Sequence, residues 1–127
     1  MDWQALPNAP ETGTCLCTLA EIDDGAALML TLGSAAPTFD LLVLRSGSSL
    51  FGYLNRCSHF GVPLANQQKH LRYQPHEHFQ CNIHYARYNW TDGRCVSGEC
   101  AGEGLVPIPL VVVDGHICIG KAEGESS

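Results

Sequence analysis

From Thr14 to Leu19 polar and apolar side chains alternate, the period-two signature of a half-buried strand, with Cys15 and Cys17 on one face and Leu16 on the other. A turn around Glu21-Ile22-Asp23-Asp24-Gly25 follows. Ala26 to Leu32 reads as a strand, although its alanines and leucines would also suit a short helix. Phe39 to Arg45 and Ser49 to Asn55 are clearer strands, joined by the turn Ser46-Gly47-Ser48. Gln67 to Gln80 is polar and aromatic without a helical stripe, and short strands are predicted at Leu71 to Tyr73 and His78 to Gln80. Tyr88 to Trp90 precedes the turn Thr91-Asp92-Gly93-Arg94. A loop marked by Gly98, Gly102 and Gly104 leads to Val106 to Val113, the turn Asp114-Gly115 and a last strand from His116 to Ile119. Pro107 and Pro109 suit a sheet edge, since proline cannot donate to a central ladder.

Many short strands separated by glycine-rich turns make the chain all-β, a small antiparallel barrel or sandwich. At 127 residues it has room for one modest core. The expected division is an N-terminal extension over residues 1–13, forming a loose lead-in, one domain over 14–120, and a polar tail over 121–127. No internal repeat or second folding unit is visible.

Charge narrows the functional classes. Seven basic and thirteen acidic residues give a formal net charge of -6. That balance argues against nucleic-acid binding, which needs clustered Lys and Arg against phosphate, and against a polybasic membrane anchor. The apolar runs are strand-sized and none approaches a membrane span. Met1-Asp2-Trp3 opens no secretory signal pattern, so the expected location is the cytoplasm. Seven cysteines would suit a secreted disulfide scaffold, but the odd number and the lack of a signal count against it. Cys15, Cys17, Cys95, Cys100 and Cys118 are read as ordinary strand, packing or turn residues, with Cys95 and Cys100 close enough in sequence to approach each other.

The remaining two cysteines stand in register with histidines. Cys57-Ser58-His59 and Cys81-Asn82-Ile83-His84 form Cys-x-His and Cys-x-x-His, with residues 60–80 between them. Each segment offers one thiolate and one imidazole after a predicted strand, so two tight loops would clamp one metal site from opposite sides. Gly61 gives the first loop backbone freedom. Soft sulfur with borderline nitrogen suits either zinc or iron–sulfur chemistry.

With its context, the pattern resembles the Rieske ferredoxins, including the Rieske domains of ring-hydroxylating oxygenase systems. The resemblance rests on Cys57-Ser58-His59-Phe60-Gly61 with Pro63-Leu64, and on Cys81-Asn82-Ile83-His84 continued by Tyr88, Gly93 and Cys95. Leu105-Val106-Pro107 and Asp114-Gly115-His116-Ile117 look like the closing part of such domains. It implies a Rieske-type fold with two cluster-binding loops and one [2Fe–2S] cluster, Cys57 and Cys81 on one iron, His59 and His84 on the other. Two neutral imidazoles in place of two thiolates leave the oxidised cluster formally uncharged rather than at -2, which eases addition of an electron. Respiratory Rieske proteins carry an extra cysteine in each loop, joined as a disulfide. Val62 and Ile83 stand there in this chain, and the hydrogen-bonding serine and tyrosine of those proteins are also unmatched. A potential toward the lower end of the Rieske range is therefore expected.

The implied role is electron delivery, with a flavin-containing reductase and a terminal oxygenase as partners. The chain has no nicotinamide or flavin motif, and no substrate site of its own is expected, so it is read as a carrier and not an enzyme. The alternatives are a Cys2His2 zinc-binding structural or interaction module and a free-standing Rieske protein with a regulatory role. The usual zinc finger places both histidines on a helix, unlike the strand-flanked pattern here. A Cys–His hydrolase would need an oxyanion site and a cleft, for which the sequence gives no sign. His70, His76 and His78 fall between the two motifs. His76-Glu77-His78 would suit a surface metal, but solvated loop residues are the simpler reading.

Overall fold

Leu41-Leu42-Val43-Leu44 is the centre of the molecule, because no polar side chain interrupts it and both faces of its strand are covered. The computed structural model describes residues 3–33, 38–55, 72–80, 87–97 and 104–120. Within these, eleven strands run in order: β1 (Cys15–Thr18), β2 (Ala27–Leu32), β3 (Phe39–Ser46), β4 (Ser49–Leu54), β5 (Arg72–Gln74), β6 (His78–Gln80), β7 (Arg87–Asn89), β8 (Cys95–Ser97), β9 (Pro107–Ile108), β10 (Leu110–Val113) and β11 (His116–Ile119). They form three antiparallel sheets with orders β1-β11-β10, β2-β3-β4-β9 and β5-β6-β7-β8.

The second sheet is the shared wall, and its period-two alternation sorts side chains between two cores. Ala27, Met29, Leu42, Leu44, Phe51 and Tyr53 face one way, toward Phe79, Tyr88 and Trp90 of the third sheet and its turn. Leu28, Leu30, Phe39, Leu41, Val43, Leu50 and Leu54 face the other, toward Ile117 and Ile119 of the first sheet. One core is therefore largely aromatic and the other largely aliphatic. A one-residue slip in β3 would exchange the two sets, so its pairing with β2 (Met29↔Leu42) and β4 (Leu42↔Tyr53) is tightly specified.

β9 closes the second sheet beside β4, and Pro107 sits in this edge strand as expected. Gly52 lets it approach: a Cβ there would lie 2.5 Å from the Ile108 carbonyl oxygen. The single strand expected over Val106 to Val113 is broken at Pro109 into β9 and β10, each in a different sheet. Ala27–Leu32 is a strand and not a helix, held by its full-length ladder with β3. β8 was missed by the sequence pattern; it is only three residues long and pairs with β7 across the Asp92-Gly93 turn.

The opening segment departs from the loose lead-in expected for it. Trp3, in a short 3₁₀ turn (Trp3–Ala5), is buried and meets Phe39 with ring centroids 6.0 Å apart. A second 3₁₀ turn (Leu19–Glu21) is clamped by the Arg45 guanidinium, which donates to the carbonyls of Leu19 (3.3 Å) and Ile22 (3.0 Å).

The cysteines bring the second departure. Cys15 and Cys118, read as unpaired small residues, are directly opposite in the β1–β11 ladder and form a disulfide. Cys95 is buried and also disulfide-bonded. The odd cysteine count concealed these pairs because it says nothing about which residues the ladder brings together.

Candidate metal centre

Cys57, His59, Cys81 and His84 all lie outside the described residues, as do Phe60, Val62, Pro63, Ile83 and Tyr85. The strands that flank them are described. The first motif begins shortly after β4, which ends at Leu54 and is followed by the buried Asn55. Cys81 follows directly on Gln80, the last residue of β6. His84 comes shortly before β7, and β6 and β7 are antiparallel neighbours with Gln80 opposite Arg87. The second motif is thus the connection that closes this strand pair.

Three aromatic rings bring these strand ends together. Tyr53, four residues before Cys57, lies 5.8 Å from Phe79, two residues before Cys81. Phe79 stacks at 5.7 Å on Tyr88, four residues after His84. All three are buried. The chain therefore leaves for the first motif, leaves for the second and returns from the second beside one aromatic contact. Offset stacking and burial of this kind contribute packing beyond simple area.

Trp90 completes the support. Its indole Nε1 donates to the His78 carbonyl (3.1 Å), and its own carbonyl accepts from the Tyr53 hydroxyl at 2.6 Å. Its backbone N–H donates to the Glu77 carbonyl (3.0 Å). Tyr53 is buried among these rings, and burial, with the charge of Asp92 second, pushes its phenol well above the ordinary value of 10.0. It stays a protonated donor throughout the neutral range. Gly93, with φ +70°, is needed for the same contact, since a Cβ there would fall 2.6 Å from the Tyr53 ring. Trp90 and Tyr88 are buried core residues, and so are Tyr53 and Phe79, which the sequence reading did not single out. Their signal was available in the sequence: each precedes a candidate ligand motif at the inward-facing end of a strand.

His76 is an exposed turn residue, as the sequence reading has it, but its ring also makes specific contacts. Nδ1 lies 2.7 Å from Ser46 Oγ, Nε2 is 3.9 Å from Asp24 Oδ1, and the ring packs against Trp90 with centroids 5.7 Å apart. His76 and His78 do not converge with a third ligand: among the described residues no group of three or more His, Cys, Asp or Glu side chains could hold a metal. His70 lies outside the described residues.

The donor set of the four motif residues, two thiolates and two imidazoles, matches a mixed-ligand [2Fe–2S] site. Residues 12–113 match the family model for the Rieske [2Fe-2S] domain. No sequence match was found among curated proteins. Among solved structures, the ferredoxin of carbazole 1,9a-dioxygenase from Nocardioides aromaticivorans IC177 is similar, at 19% identity and TM-score 0.67, over 88% of this chain and 100% of that one. The Sphingomonas yanoikuyae B1 ferredoxin is 21% identical with TM-score 0.64, over 87% of this chain and 99% of that one. The terminal oxygenase of carbazole 1,9a-dioxygenase from the same Nocardioides strain is similar over 91% of this chain but only 32% of its own, at 21% identity and TM-score 0.70. At these identities the structures speak for the fold, while the family match covers most of the sequence. The chain belongs to the Rieske [2Fe-2S] domain family, and its cofactor is a [2Fe–2S] cluster that exchanges one electron at a time.

Proposed function

We propose that Cys57 and Cys81 hold one iron of the cluster and His59 and His84 the other, and that the protein is a cytoplasmic carrier passing single electrons from a flavin-containing reductase to a terminal oxygenase. The observation that supports this most directly is the Tyr53–Phe79–Tyr88 contact, which joins the strand ends flanking both motifs. Two short segments leaving one rigid aromatic platform would keep four donors in fixed relation, which limits reorganisation when an electron arrives. Solved structures under the heading of carbazole 1,9a-dioxygenase include complexes of oxygenase and ferredoxin, and they support the choice of acceptor. No helix among the described residues is long and apolar enough to cross a membrane. We take the chain to have no organic substrate of its own.

The ligand assignment is tested by metal and sulfide analysis with electron paramagnetic resonance of the dithionite-reduced protein. About two irons and two sulfides per chain and a rhombic Rieske-type signal are expected. Cys81→Ser should abolish that signal, and a colourless zinc-bearing protein would overturn the assignment. The carrier role is tested separately, by oxygenase turnover that depends on this protein in the presence of a reductase. With Val62 and Ile83 where a loop disulfide would be, the reduction potential is expected in the lower part of the Rieske range, about −150 mV.

A further inference from the structure

We propose that the Cys15–Cys118 pair is an exchange site for low-molecular-weight thiols, opened at the Cys15 sulfur, and that its state controls how firmly the N-terminal strap, residues 3–18, is held to the domain. The site lies in the first sheet and is independent of the cluster reading.

Among the described residues the strap has one strand ladder. Among these residues β1 is an edge strand of its sheet and pairs with β11 alone. Its ladder is short: Cys15 pairs with Cys118, Cys17 with Ile117 and Thr18 with His116, and beyond the ends of β1 Gly13 N–H donates to the Ile119 carbonyl, Ile119 N–H to the Thr14 carbonyl and Leu19 N–H to the Gly115 carbonyl (each 2.8 Å). A register shift between Cys15 and Cys17 interrupts it, and this bulge sets Cys15 opposite Cys118 while Cys17 meets Ile117. Yet the strap covers a large part of the aliphatic core through Trp3, Leu6, Ala9 and Leu16. Trp3 and Gln4 also wall a cavity of about 440 Å³ beside β4 and β9. A short edge ladder over much apolar surface is a low-stability element, and a covalent bond between residues 103 apart in sequence is the strongest restraint on it.

The two sulfurs differ in access. Cys15 is exposed, whereas Cys118 is buried at 1% exposure. An incoming thiolate therefore reaches Cys15 Sγ. A new S–S bond forms to Cys15 as the Cys15–Cys118 bond breaks, and Cys118 leaves as a thiolate that takes a proton from water. A second thiolate attacks the outer sulfur of the mixed disulfide, releasing the small-molecule disulfide and leaving Cys15 as a thiol. Two small thiols lose the two electrons that the protein disulfide gains. Cys17 is not the attacking group: burial, followed by the charge of Glu21, raises its thiol above the ordinary value and keeps it protonated.

The test is to equilibrate the cluster-bearing protein with reduced and oxidised glutathione in graded ratios, quench with acid, alkylate and map the cysteine peptides. Amide hydrogen exchange is followed on the same samples. Cys15 and Cys118 should pass together and reversibly from bonded to alkylated. Exchange over residues 3–18 should rise about tenfold on reduction while β6 and β7 stay unchanged. A bond that forms at no ratio, or persists at every ratio, overturns the proposal. So does identical strap exchange in the two states. Cys15→Ser, which cannot form the bond, should show the fast strap exchange under all ratios; slow exchange in it would equally refute the control of the strap.

Discussion

The two cores are built on opposite faces of the same sheet, yet they do different work. On one face Leu42, Leu44 and Tyr53 meet Phe79, Tyr88 and Trp90, an assembly of large flat rings with two hydrogen-bonding handles. On the other, Leu41, Val43 and Leu54 meet Ile117 and Ile119 under a cover that begins at Trp3. Aliphatic packing tolerates rearrangement provided volume is kept. Rings tied by O–H and N–H bonds to particular carbonyls do not, since moving one leaves a buried polar group unpaired. The aromatic half therefore fixes positions, and those positions are the strand ends flanking the two proposed ligand motifs. The aliphatic half supplies burial, and its outermost strand carries the covalent tie between chain beginning and end.

The largest effect that separates the halves is expected at the proposed ligands. His84→Cys replaces a neutral donor by a thiolate, so the cluster gains negative charge and becomes harder to reduce. If a cluster is retained, its potential should fall by on the order of 100 mV or more, toward the all-cysteine value of about −400 mV. Redox titration followed by visible absorbance checks this, and an unchanged or raised potential would contradict the charge argument.

Next come matched deletions in the two cores. Phe79→Ala and Ile117→Ala each remove a fully buried side chain and should cost about 3–5 and about 2–5 kcal/mol respectively. Denaturant unfolding would measure both. Only Phe79→Ala is expected to broaden the paramagnetic signal of the reduced protein and lower its iron content. If Ile117→Ala disturbs the signal as much, the division of labour is wrong.

The sequence made the sheets more legible than their joints. Period-two alternation located β1, apolar runs between turn signals located β2 to β4, and the turns Ser46-Gly47-Ser48 and Asp114-Gly115 located the hairpins they close. β8 and the break at Pro109 escaped because two- or three-residue elements leave too few positions for a period to show; β5 to β7, as short, were placed only by the turns and the motif they flank. The motif residues read as a metal set from donor chemistry alone, a reading that falls on residues outside those the structure describes. Cys15 with Cys118 was not legible, because register between the first and last strands is a long-range property that neither segment encodes by itself. Trp3 was misread for a related reason: its partner, Phe39, lies on a distant strand.

A smaller effect belongs to Tyr53. Tyr53→Phe keeps the ring against Phe79 but leaves the Trp90 carbonyl without its hydroxyl donor, at a cost of about 1–2 kcal/mol. The pH dependence has a definite sign. The folded phenol is raised above its unfolded value of 10.0, so the folded state retains a proton that the unfolded state releases first. This stabilisation is fully present below pH 10 and declines as pH rises toward the folded value. Thermal melts should therefore show the wild-type advantage over Tyr53→Phe shrinking above pH 10. An advantage that grows there would mean that the ring is not held in a buried, protonated state.

The smallest effect is expected at His76, the tip of the β5–β6 hairpin. This residue is in the left-handed region at φ 66°, where glycine is more comfortable than any side chain. Its ring offsets that backbone cost by binding Ser46 and packing on Trp90. His76→Ala loses the ring and keeps the strained backbone, so it should lose about 1 kcal/mol. His76→Gly loses the ring but relieves the backbone, by about 1 kcal/mol, and should come out near wild type. Both should leave the cluster signal unchanged, because the histidine steadies the hairpin without serving as a proposed ligand. Urea unfolding of the pair separates the contributions. If Gly proves as costly as Ala, the ring contacts outweigh the backbone, and this hairpin tip belongs to the position-fixing aromatic half more fully than its exposure suggests.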